Sequence, residues 1–112
     1  MAITAKALFN PLQAAATEVS QYVTPAATRT IIDKFTGTNT TGASATLTVR
    51  LVPSGGAAGV TNTIVSAKNL AAGETYTFPE VVGHVLNPGD FISTIAGTAA
   101  AITIRASGRE VT

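Results

Sequence analysis

The sequence predicts an all-β domain, a single β-sandwich of about seven or eight short antiparallel strands. Three observations lead there. Thr, Val, Ile and Ala dominate the chain, and β-branched side chains suit a pleated, half-buried surface. Several segments alternate apolar and polar residues with period two, the signature of a strand with one buried and one wet face. Gly, Pro and Asn recur at the intervals that separate short strands. The 112 residues fit one domain, and with 46% hydrophobic against 12% charged residues there is enough apolar surface for one core. Jelly-roll and immunoglobulin-like topologies remain equally compatible with this pattern.

Residues 1–20 show little alternation. A short helix through Ala14, Ala15 and Ala16 competes there with Pro11 and with the short length. The segment is expected to be an N-terminal arm outside the sandwich, which occupies residues 21–112. Its Leu8, Phe9 and Leu12 are the candidate assembly contacts, because a merely solvated tail has little use for them. A poorly ordered terminus is the alternative.

The first strand includes Gln21 to Val23, before Pro25. Residues 30–36 form the next, with Ile31 and Phe35 on one face and Asp33 awkwardly between them. Asn39-Thr40-Thr41-Gly42 marks a turn. In residues 45–51, Leu47, Val49 and Leu51 face inward while Thr46, Thr48 and Arg50 face out. Residues 53–59 form a glycine-rich loop before a strand over 62–68. After the turn at Ala71-Ala72-Gly73-Glu74, Tyr76 and Phe78 share a core face. Residues 81–86 read as a strand broken near Gly83. Asn87-Pro88-Gly89-Asp90 is a turn, since Pro presets φ and Gly permits positive φ. Strands over 91–95 and 101–106 follow, the second with Ile102, Ile104 and Ala106 inward.

Seven basic and six acidic residues give a formal net charge of +1, with no run of either sign. The basic stripe typical of nucleic-acid binders is not visible in sequence, so no nucleic-acid partner is expected, although folding is able to cluster Arg29, Arg50, Arg105 and Arg109. No apolar stretch approaches the ~20 residues of a membrane span, and no membrane partner is expected. The first 16 residues lack a signal peptide's apolar run, so synthesis in the cytoplasm without export by that route is expected. With no cysteine, disulfides and thiolate metal sites are ruled out.

Nothing in the sequence converges on catalysis, and neither an enzyme nor a cofactor is expected. His84 is the one histidine and lies among valines, where a structural role is the ordinary reading. Asp90 is the one faintly calcium-like residue, but Asp in such a turn bonds its own backbone. Residues 54–59 share only composition with a phosphate loop, lacking the Lys-Ser/Thr and the helix that a P-loop requires. Glu74 and Glu80 invite a paired-carboxylate reading but suit solvated strand ends. Four Phe, two Tyr and no Trp offer few stacking platforms for a glycan or a single-stranded nucleic acid.

The ordered series of Thr38-Asn39-Thr40-Thr41-Gly42, the strand and loop over 45–56, Ala71-Ala72-Gly73-Glu74-Thr75, Val85-Leu86-Asn87-Pro88-Gly89-Asp90 and the strand from Ile102 to Glu110 resembles small β-sandwich virion proteins of tailed bacteriophages. The resemblance spans roughly residues 22–112. It implies a structural protein of the virion, made in the host cytoplasm: a capsid decoration or cement protein, or a neck or collar component. It implies capsid, neck or tail proteins as partners, together with homo-oligomerisation. The alternative is a receptor- or glycan-binding module of a tail tip or fibre.

Overall fold

The computed structural model describes residues 2–112. Nine strands form in chain order: β1 (Ile3–Gln13), β2 (Val19–Val23), β3 (Arg29–Asn39), β4 (Ala45–Val52), β5 (Thr63–Leu70), β6 (Thr75–Tyr76), β7 (Val85–Leu86), β8 (Phe91–Ala96) and β9 (Ile102–Val111). A single 3₁₀ turn, Val60–Asn62, precedes β5. All strand pairs are antiparallel.

The first sheet runs β1-β9-β3-β6, with β7 also beside β3, and the second runs β2-β8-β4-β5. Because β6 and β7 share one position, nine strands fill eight places, four to a sheet. Successive strands from β1 to β4 alternate between the sheets, β5 then pairs with β4, and the returning strands β8 and β9 insert between earlier ones. That is the double Greek key of a jelly roll, which decides between the two topologies left open by the sequence.

Alternation in β9 holds as expected. Ile102, Ile104 and Ala106 are buried, while Arg105 and Arg109 are exposed. In β4, Leu47 and Val49 are fully buried, and Leu51 packs half-buried against the same core. Val52 is buried outside that core, beneath the loop over 53–59: a Cβ on Gly56 would stand 3.5 Å from its Cγ1. The awkward Asp33 is resolved by a bulge. The β3–β9 register slips between Ile32 and Lys34, so Ile32 and Phe35 both point inward while Asp33 and Lys34 both stay exposed. The inward residue is therefore Ile32, and Ile31 lies half-buried on the outer side.

Aromatic rings thread the core. Phe9, Phe35, Phe78 and Tyr76 contact successively edge to face, with centroids 5.9, 5.1 and 4.8 Å apart. Gly37 makes room for Phe78, whose ring would lie 2.9 Å from a Cβ there. The strand that follows the 71–74 turn is only two residues long, Thr75 and Tyr76, because Phe78 adopts a positive φ of 44° that turns the chain into the bend over 79–83. That bend likewise leaves only Val85 and Leu86 of the strand expected over 81–86.

The N-terminal segment departs from expectation. It is no arm: β1 pairs with β9 from Ile3 opposite Val111 to Gln13 opposite Thr103. Neither does Leu12 begin a helix, since β1 ends at Gln13 and residues 14–18 cross between the sheets. Ala14 donates to the Ile102 carbonyl in one sheet, and the Ala15 carbonyl accepts from Ala96 in the other. The sandwich thus comprises all the described residues. Alternation is hidden in β1 because its register slips twice, between Ala7 and Phe9 and between Phe9 and Leu12. Pro11 is tolerated because β1 is an edge strand with one unpaired side.

Candidate interaction surfaces

The three residues expected to touch a partner belong to the core. Leu8 and Phe9 are buried, and Leu12 packs half-buried against the same cluster. They hold β1 to the sandwich, and the buried Leu8 and Phe9 offer a partner no free surface.

The residues weighed for chemistry are each engaged locally. Asp90 accepts from the backbone N–H of Ser54 and of Asn87, 2.9 Å each, which closes its own turn and ties it to the glycine-rich loop. That loop is held from its far side by Asn62, which bonds Gly59 N–H and the Ala57 carbonyl. Glu74 accepts from Ala71 N–H, and Glu80 accepts from the Tyr76 hydroxyl. The Tyr76 bond holds the Glu80 carboxyl below its ordinary range, and the charge of Lys68, stacked over the Tyr76 ring, adds to it. His84 is exposed, and its backbone bonds Ile32 and Val81. Among the described residues no three His, Cys, Asp or Glu side chains are grouped to hold a metal ion.

Sequence reasoning missed two polar networks, one joining the two sheets and one within the second, because their members lie far apart in the chain. Tyr22 in β2 donates its hydroxyl to Glu110 in β9, and the Thr30 hydroxyl in β3 lies 2.8 Å from the same oxygen. Burial, and then the bond to Glu110, push the Tyr22 phenol up to about 12. Lys6 completes this network through Glu110 at 3.4 Å. On the second sheet, Glu18 bridges Arg50 and the Ser93 hydroxyl, and Arg50 also reaches Thr63.

The densest knot is Asn39, fully buried at the end of β3. Its side-chain amide donates to the carbonyls of Ala43 and Leu70, and its side-chain oxygen accepts from the backbone and hydroxyl of Thr41. Its backbone meanwhile bonds Gly73 and Glu74. One residue thereby fastens two turns at that end, the one after β3 and the one after β5.

The opposite end is built differently. There Ile3 is 59% exposed, Val23 56% and Val85 53%. Their ladder partners are Val111, Phe91 and Ile31, so apolar side chains gather where β1, β3 and β8 begin and β2 and β9 finish. An open cavity of about 570 Å3 lies at this end between the 27–29 turn, Pro88 and Val111. An apolar end of this kind is suited to contact with another protein surface.

No protein-family model matches the chain, and no curated protein matches it. Among solved structures, a chain of infectious bursal disease virus, Gx strain, is 12% identical with a TM-score of 0.50, covering 97% of this chain and 30% of that one. A chain of the Gt strain is 9% identical with a TM-score of 0.47, covering 97% and 32%. This chain therefore spans about a third of the length of the chains it resembles. At such identity the likeness concerns fold: a jelly roll also found within a longer chain of a virus.

Proposed function

We propose that this protein is a structural component of a virion that works through protein–protein contacts, most specifically a capsid decoration or cement protein, or a neck or collar component, of a tailed phage. The observation that carries the reading is the division of the sandwich into a hydrogen-bonded end and an apolar, open end. Jelly rolls recur in viral shells, in lectins and in cupins. The virus-derived fold neighbour and the resemblance in residues 22–112 favour the first of these.

The mechanism is physical. Burying Ile3, Val23 and Val85 against neighbouring subunits removes their remaining apolar surface, about half of each side chain, from water, each contributing on the order of 1 kcal/mol. Repetition over a symmetric shell turns weak single contacts into a stable attachment. The test is mass spectrometry of purified particles made by the genome that encodes the chain. The chain is expected at many copies per particle. Its absence from particles, while it accumulates in the producing cells, overturns the reading. A lectin-like role would instead give defined hits on a glycan array.

A further inference from the structure

Four of the seven basic side chains, Arg29, Lys34, Arg105 and Arg109, lie exposed on the outer face of the first sheet, with only Asp33 of the six acidic ones. That face carries three net positive charges, and the remaining described residues carry two net negative ones. The register orders the cations. Arg105 stands opposite Thr36, Lys34 opposite Ser107, Arg109 opposite Ile31 and Arg29 opposite Val111. Each step advances two residues along β9, about 6.7 Å, so the cations form a stripe that alternates between β9 and β3. Sequence hides this because the four are scattered between positions 29 and 109. Of the four arginines that folding was able to gather, three join the stripe, and Arg50 lies on the other sheet, bonded to Glu18.

The stripe has a seat at its Arg105 end. Lys34, Thr36, Arg105 and Ser107 line a depression of about 110 Å3. Among the described residues neither Lys34 nor Arg105 has an ion-pair partner, whereas Arg109 is held by Asp33 through two bonds of 2.9 Å. Two cations with two hydroxyls are the donors that fix a phosphate. We propose that the outer face of the first sheet binds the phosphate backbone of double-stranded nucleic acid, with a phosphate seated between Lys34 and Arg105. The stripe's period fits this polyanion: a duplex strand presents a phosphate about every 3.4 Å along its axis, two per step of the stripe. The stripe has no aromatic side chain to stack on bases, so binding is independent of base sequence. The inference rests on this face alone and does not depend on the virion reading.

The test is fluorescence anisotropy of the whole chain with a short labelled duplex DNA over a range of NaCl. With about three phosphates neutralised, affinity is expected to fall about 40-fold between about 50 and 200 mM salt. Lys34→Ala and Arg105→Ala should each weaken binding and flatten the salt slope by about one unit. Asp33→Asn frees Arg109 and should do the opposite, binding more tightly with a steeper slope. Val60→Glu changes net charge by the same amount as Lys34→Ala, at a side chain 88% exposed and on a turn outside this sheet, and should leave binding within about twofold. The proposal is overturned if the slope is shallower than about one, if Val60→Glu weakens binding as much as Lys34→Ala, or if Asp33→Asn does not strengthen it. It is also overturned if polyglutamate displaces the DNA as well as unlabelled duplex does, which would mark the face as a seat for an acidic protein surface.

Discussion

The two ends of the sandwich use the same strands differently. At the Asn39 end, one buried amide of the first sheet satisfies the carbonyl of Ala43 in the turn after β3 and that of Leu70 at the end of β5 in the second sheet. At the Ile3 end, the side chains of Ile3, Val23 and Val85 are more than half exposed. A buried polar group has few tolerable partners, so the first end has one geometry. An exposed apolar side chain costs the monomer little and gains only when covered, so the second end is available to a neighbour. Fold specification falls to one end, and the contact proposed above falls to the other.

The largest expected effect concerns β1, which runs between both ends. Deleting residues 2–13 should unfold the domain, since β9 would lose its outer partner and the core would lose Leu8 and Phe9. Phe9→Ala alone should cost about 3–5 kcal/mol in a denaturant series. A deletion variant with an unchanged melting temperature would restore the picture of a detachable arm.

Asn39→Ala should come next, at about 2–3 kcal/mol, because it strands buried carbonyl groups. Asn39→Asp should be nearly as damaging, as a carboxylate has no N–H to give to Ala43 and Leu70. Full stability for either variant would dissolve the contrast between the ends. Ile3→Asp, by comparison, should shift stability by less than about 0.5 kcal/mol.

A pH titration sharpens the inter-sheet network near the open end. The folded chain holds the Tyr22 proton more tightly than the unfolded chain, whose phenol titrates near 10. That stabilisation is fully present below about pH 10 and is lost as pH rises toward about 12. The melting temperature should therefore drop across this window in the natural chain and drop less in Tyr22→Phe. Equal slopes would remove Tyr22 from the network.

The smallest effect is at Thr24, whose buried hydroxyl has no hydrogen-bond partner among the described residues. Thr24→Val keeps the shape and removes the orphan oxygen. It should leave the chain as stable or up to about 1 kcal/mol more stable. A clear loss of stability would mean the hydroxyl is satisfied, for instance by ordered water.

Alternation made β4 and β9 legible from sequence, because the extra residues of their ladders fall on β1, β3 and β5, and the Asn87–Asp90 turn was legible because its chemistry is local. Bulges hid β1 and the middle of β3: an extra residue reverses the inward face, so a period-two reading fails at Phe9 and at Asp33. Leu8, Phe9 and Leu12 were recognised as side chains that need burial, and only the identity of what buries them was misjudged. The surface patterns were not legible at all. Arg29 and Arg109 become near neighbours, as do Tyr22 and Glu110, through β-ladders between strands far apart in the chain. Charge patches on a jelly roll are properties of topology.

The division between the ends is tested most directly by sedimentation velocity across a concentration series, comparing the natural chain with a variant carrying Asp at positions 3, 23 and 85. The natural chain should associate as concentration rises, and the variant should sediment as a folded monomer at every concentration. A natural chain that stays monomeric throughout, or a variant that associates equally well, would contradict the assignment of contact to the Ile3 end.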